Sequence, residues 1–109
     1  MGNTNYICIV VKVLEKPIPI LGKNNVPSVR IYVQLPQSRN KMVVDLVLWG
    51  KLSQDVANYY GPDDYILVEG YLSVRERKIR TTKPTKKTEI TAIRVYPFLL
   101  DSDRRTDKS

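Results

Sequence analysis

The sequence predicts an all-β domain, a five-stranded barrel with one short helix between its third and fourth strands. Five segments carry the β-branched enrichment or the period-two alternation of strands, and one interval between the third and fourth has helical spacing. The chain of 109 residues is the size of one domain and too short for two ordinary cores. A five-stranded sheet of this size buries its apolar face and hides its edges by rolling up.

The first strand is predicted over 6–14, where Tyr6-Ile7-Cys8-Ile9-Val10-Val11 opens a β-branched run closed by Glu15-Lys16-Pro17. Proline cannot donate to a ladder. The interval 18–27, with two prolines, Gly22 and the pair Asn24-Asn25, turns the chain and is read as a long connection. The second strand, 29–35, alternates Val29, Ile31, Val33 and Leu35 against Arg30, Tyr32 and Gln34, so Arg30 and Tyr32 point outward together. After a polar loop over 36–41, the third strand, 43–49, puts Val44, Leu46 and Leu48 on one face and Asp45 and Trp49 on the other. Gly50 breaks it. Leu52, Val56, Tyr59 and Tyr60 then fall at helical spacing on a segment stopped by Gly61-Pro62, as expected of a glycine-capped helix end. Asp63-Asp64 belongs to the turn that follows. The fourth strand, 65–73, shares one face among Ile66, Val68, Gly70 and Leu72, and the fifth covers 88–96. Residues 1–100 form one domain and 101–109 a short polar tail. This element order is that of the OB barrel, although periodicity leaves an SH3-like barrel or a small sandwich open.

Composition narrows the chemistry. Lys plus Arg number 18 against 11 Asp plus Glu, a formal charge of +7, which favours polyanionic partners such as nucleic acid or an acidic membrane surface. The absence of His removes imidazole as a base or metal ligand, and the single Cys8 cannot form an intramolecular disulfide or a thiolate cluster. Cys8, inside an apolar run, is read as a small buried hydrophobe. No metal, cofactor or catalytic residue is expected. No apolar run approaches the roughly 18 to 20 residues of a membrane helix, and the first residues are too polar to open a signal peptide, so the expectation is a soluble intracellular protein without a membrane partner.

Four segments resemble the bacterial single-stranded DNA-binding protein family. Asn5-Tyr6-Ile7-Cys8-Ile9-Val10-Val11-Lys12-Val13 is similar to its opening strand, and Val44-Asp45-Leu46-Val47-Leu48-Trp49-Gly50-Lys51-Leu52 to its third strand, which ends aromatic-Gly-Lys before the helix. Val68-Glu69-Gly70-Tyr71-Leu72 resembles its Val-Glu-Gly-x-Leu strand, and Thr88-Glu89-Ile90-Thr91-Ala92 with Arg94-Val95 its last strand. Each is weak alone; four in order, over about Asn5 to Leu99, are specific. The resemblance implies an OB fold, dimers or tetramers, and sequence-tolerant binding of single-stranded DNA without catalysis, in replication, recombination or repair. RNA binding, or an interaction subunit with weak nucleic-acid binding, is the alternative.

The implied mode is base stacking on aromatics beside a basic groove. Trp49 occupies the family's stacking position, followed by Lys51. The run Arg75-Glu76-Arg77-Lys78-Ile79-Arg80-Thr81-Thr82-Lys83-Pro84-Thr85-Lys86-Lys87 carries seven basic residues against Glu76 and is read as a phosphate-binding loop between the last two strands. Its candidates are Arg75, Arg77, Lys78, Arg80, Lys83, Lys86 and Lys87. Arg30, Tyr32 and Tyr71 complete the predicted site. The sequence departs from the family at Val43 and Arg77, where aromatics are usual, and Asp45 repels phosphate on Trp49's face unless a base such as Arg30 pairs with it. The end, Asp101 to Ser109, has no acidic, apolar tip of the kind that recruits replication enzymes. The chain therefore looks like the short PriB-type, cyanobacterial and plastid relatives, with the bacterial cytoplasm or nucleoid as compartment, or a plastid.

Overall fold

Strands form where the β-branched residues cluster, and they close into a barrel. The structure, a computed structural model, describes residues 5–22, 24–36, 42–77 and 85–99, with side chains except at 75–77 and 85–87. In chain order the elements are β1 (Asn5–Val13), β2 (Ile20–Leu21), β3 (Pro27–Leu35), β4 (Met42–Trp49), α1 (Gly50–Tyr59), β5 (Tyr65–Arg77) and β6 (Thr85–Pro97). The sheet order is β1-β5-β6-β4-β3-β2, and β1 also pairs with β3 at Lys12–Gln34 and Val13–Val33, which closes the five long strands. β4 and β6 run parallel; the other pairs are antiparallel. This is the predicted OB barrel with its helix between the third and fourth long strands.

Alternation along each strand fills the interior. Val11 and Val13 of β1, Val29, Ile31 and Val33 of β3, Val44, Leu46 and Leu48 of β4, Ile66 and Val68 of β5, and Ile90 and Ala92 of β6 form one buried cluster with Val56 of α1. The helix packs against β3, β4 and β6, and its buried Ser53 hydroxyl donates to the Gly50 carbonyl (2.6 Å). Two glycines are required by geometry. Gly50 takes φ +63° to swing the chain from β4 into α1, a left-handed conformation that a side chain disfavours. At Gly70, beside the β5/β6 bulge, an added Cβ would stand 2.1 Å from the Thr91 carbonyl oxygen, so only glycine lets the two backbones approach.

Four expectations change. Ile20–Leu21 of the long connection pairs with Pro27 and Ser28 as a sixth, two-residue strand; both residues are exposed, so no burial pattern marked it. The helix end is not glycine-capped: Tyr60 is the C-cap in extended conformation, and the left-handed residue of the following turn is Asp63, at φ 75°. Pro62 stands before it, and the Asp64 N–H donates to the Gly61 carbonyl (3.1 Å), a turn built on Pro-Asp rather than on glycine. Cys8 is exposed, not buried, because Ile7, Ile9 and Val11 take the inward positions of β1 and leave Tyr6, Cys8 and Val10 facing out. Finally, β5 and β6 continue past the predicted strand ends, pairing Arg75 with Lys87, Glu76 with Lys86 and Arg77 with Thr85. The basic run is therefore partly a two-stranded hairpin arm and not wholly a loop, since ladder hydrogen bonds hold the backbone where no apolar residue faces a core. Residues 78–84 and the tail over 101–109 lie outside the described residues. Among the described residues no helix is long and apolar enough to cross a membrane, and no group of three His, Cys, Asp or Glu could hold a metal ion.

Candidate nucleic-acid interface

The outward positions of β3 and β4 lie side by side: Ser28 opposite Trp49, Arg30 opposite Val47, and Tyr32 opposite Asp45. β6 extends these rows, with Thr91 beside Val47 and Glu89 beside Asp45. Trp49, Arg30 and Tyr32 thus share one continuous sheet face, as the parity of both strands predicts. Trp49 is 54% exposed. Its ring borders an open, largely apolar depression of about 370 Å³ whose other walls are Gly22, Asn24, Val26 and Ser28. The hairpin between β2 and β3 shapes that wall: the Gly22 N–H donates to the Val26 carbonyl (3.1 Å) and the Asn25 N–H to the Gly22 carbonyl (3.1 Å), with Asn25 at φ 59°.

Arg30 settles the question of Asp45. Its Nη1 donates to Asp45 Oδ2 (3.1 Å) and to Glu89 Oε1 (3.1 Å), joining three strands in one ion cluster. Asp45 is 3% and Glu89 7% exposed, so the guanidinium compensates two buried carboxylates, while the Arg30 side chain itself stays 54% exposed. Burying charge is tolerated only with such compensation. Glu89 is the residue the sequence reading missed; only its register beside Asp45 reveals it.

The other predicted residues separate. Tyr32 is half exposed, and its backbone N–H donates to Glu15 Oε2 (2.7 Å), which ties the site to the end of β1. Lys51 lies in the first turn of α1, two positions after Trp49, and its Nζ stands 3.8 Å from Asp55 Oδ1. That pair is solvent-exposed and weak, so the ammonium is available to a phosphate. Tyr71 stands on β5 in the row Tyr6–Tyr71–Thr91–Val47–Arg30, three strands away from Arg30. There its ring meets the Tyr6 ring edge-on (centroids 5.6 Å, 68°), away from Trp49. Arg75, Arg77, Lys86 and Lys87 lie on the β5–β6 arm without described side chains, and Lys78, Arg80 and Lys83 fall outside the described residues.

On the Tyr71 side a second cluster centres on Glu69. The Tyr6 hydroxyl donates to Glu69 Oε2, and Arg94 Nη1 (3.0 Å) and the Tyr96 hydroxyl (3.4 Å) donate to Oε1. These bonds, Tyr6 first and then Arg94, hold the Glu69 carboxyl below the usual carboxylate range, and the carboxylate in turn raises the Tyr6 hydroxyl.

Comparison with known proteins gives one consistent picture. No protein-family model matches the chain. It is 37% identical over 109 residues to the ycf41 protein of Trieres chinensis, provisionally named a single-stranded DNA-binding protein, covering 94% of this chain and 96% of that one. It is 25% identical over 101 residues to slr1034 of Synechocystis sp., named a thylakoid-associated single-stranded DNA-binding protein, covering 90% and 77%. The fold is similar to the SSB domain of a Synechococcus sp. protein (TM-score 0.71, 24% identity, 88% and 98% covered). It is likewise similar to the small single-stranded DNA-binding protein of Streptomyces coelicolor (TM-score 0.72, 20% identity, 91% and 96% covered).

Proposed function

From the premise that this chain belongs to the single-stranded DNA-binding protein family, we propose that it binds single-stranded DNA without sequence preference and without catalysis. The observation that carries this reading is Trp49, an indole 54% exposed beside an apolar depression on the sheet face. Leaving that much apolar ring in water has no folding benefit, and every unpaired base offers it a π-face. Lys51, the β5–β6 arm residues Arg75, Arg77, Lys86 and Lys87, and Lys78, Arg80 and Lys83 of the sequence between the two strands provide the charge that tracks phosphates. The names of the two relatives support the same partner, and the thylakoid association of slr1034 supports a thylakoid-bearing compartment, cyanobacterial or plastid. Tyr71, engaged edge-on with the adjacent Tyr6 and three strands from Arg30 along the same row, stands at the margin of this face.

The test uses Trp49, the only Trp of the chain, as its own reporter. Titration with a single-stranded DNA oligonucleotide should quench its fluorescence, and a duplex of the same length should bind more weakly at moderate salt, since stacking needs unpaired faces. Equal or tighter duplex binding would replace stacking by simple charge attraction. An RNA strand of the same sequence completes the set, because contacts to the 2′-OH decide that preference.

A further inference from the structure

We infer that Arg30 is a base contact and not a phosphate contact, so that nucleobases, with the backbone displaced to the flanks, cross the centre of the β3–β4–β6 face. The inference rests on the single-strand reading above. Its ground is the ion cluster. A guanidinium that recognises phosphate offers its nitrogens to the oxygens of an incoming anion. Here Nη1 is already engaged by Asp45 Oδ2 and Glu89 Oε1, both at 3.1 Å, from carboxylates that are themselves buried. A phosphate seated on Arg30 would add a third anion to a cation that already serves two. A neutral base brings no such charge, and a guanidinium is planar, weakly hydrated and suited to lie against an aromatic ring.

Placement agrees. Ser28, Arg30 and Tyr32 are successive outward positions of β3, spaced about 6.6 Å apart at the usual rise of a strand. Trp49 stands across from Ser28, and Arg30 follows one step along, opposite Val47 and short of Tyr32. The face thus offers an indole, a carboxylate-anchored guanidinium and a phenol in sequence, and no unengaged cation stands among these three. The cations assigned to phosphate lie beyond both ends: Lys51 past Trp49, and the β5–β6 arm past Glu89.

Arg30→Lys keeps a positive charge for Asp45 and Glu89 but loses the plane. Its binding is compared with the unaltered chain by anisotropy of an end-labelled single-stranded DNA and of an abasic sugar-phosphate strand of equal length. The variant should bind the base-bearing strand about two- to fivefold more weakly, bind the abasic strand equally well, and keep its salt slope. The same loss on both strands, or none on either, would overturn the inference. Should the variant unfold, the unaltered protein still decides by NMR. The Arg30 Nε–H resonance should move upfield on the base-bearing strand, from ring current, and stay in place on the abasic one; equal shifts on both strands overturn the inference. No binding by the unaltered chain to either strand would remove the single-strand reading itself, whereas base-bearing binding indifferent to Arg30 removes only this step.

Discussion

Trp49 is exposed because the parity that sends Leu46 and Leu48 into the barrel sends it outward, and this separates binding from folding at one residue. Stacking on an aromatic contributes about 1 to 3 kcal/mol per base, so Trp49→Ala should weaken single-strand binding by about fivefold to over a hundredfold. Trp49→Phe keeps a π-face and should retain most of the affinity. Neither change removes a charge or a core contact, so the melting midpoint and the salt slope should hold while affinity falls; an Ala variant that loses stability with binding would move Trp49 into a structural role. The strand alternation visible in the sequence was enough to place Trp49, Arg30 and Tyr32 on one face. It could not show Glu89 beside Asp45, because that contact depends on the parallel register between β4 and β6, which brings together residues far apart in the chain. Cys8 misleads for the opposite reason: every residue around it is apolar, so composition alone cannot distinguish the two faces of β1.

At the scale of elements, the barrel elements were legible because one face of each is apolar, and the segments beyond the barrel were not. Ile20–Leu21 pairs with β3 through its backbone alone, and the outer arm of β5 and β6 has no core beneath it. On the proposed function, the arm supplies phosphate contacts. Replacing Lys83, Lys86 and Lys87 by Ala should flatten the log–log dependence of binding on salt by about 2, at about 0.7 for each phosphate contact to a single strand. An unchanged slope would place the phosphate path elsewhere. The Glu69 cluster joins β1, β5 and β6 through Tyr6, Arg94 and Tyr96 and carries its own pH signature. Because the Glu69 carboxyl is held below its ordinary value, the unfolded chain binds its proton first as pH falls. The cluster's contribution is therefore full above the ordinary carboxylate range and is lost as pH drops through the lower folded value. Thermal melts of the unaltered chain and Glu69→Gln should differ near neutral pH and converge in acid; a constant gap down to low pH would exclude the cluster as its source.

For the whole molecule, the shortest closure of the barrel among the described residues is that made by β1. That strand pairs with β5 from Asn5 to Lys12, yet meets β3 only at Lys12 and Val13, so among the described residues the other edge of Asn5 to Val11 has no strand beside it. An open edge of that length is a template for another chain, and the simplest closed solution is a second copy paired antiparallel across a two-fold axis. The outward face beside that edge is rich in half-exposed rings, Tyr6, Tyr71 and Tyr96, and most of the chain's excess positive charge lies elsewhere in its sequence, in the run 75–87. We therefore expect a homodimer through β1, or a tetramer built from two such dimers. Light scattering should give at least twice the 12.6 kDa of one chain at high micromolar concentration. Hydrogen exchange localises the contact: alternate amides of 5–11, those aimed at the open edge, should become protected as concentration rises, while amides bonded to β5 should be protected throughout. A monomeric mass with exchange independent of concentration would leave the edge bare and require another device, such as the charge of Lys12, to keep it from pairing.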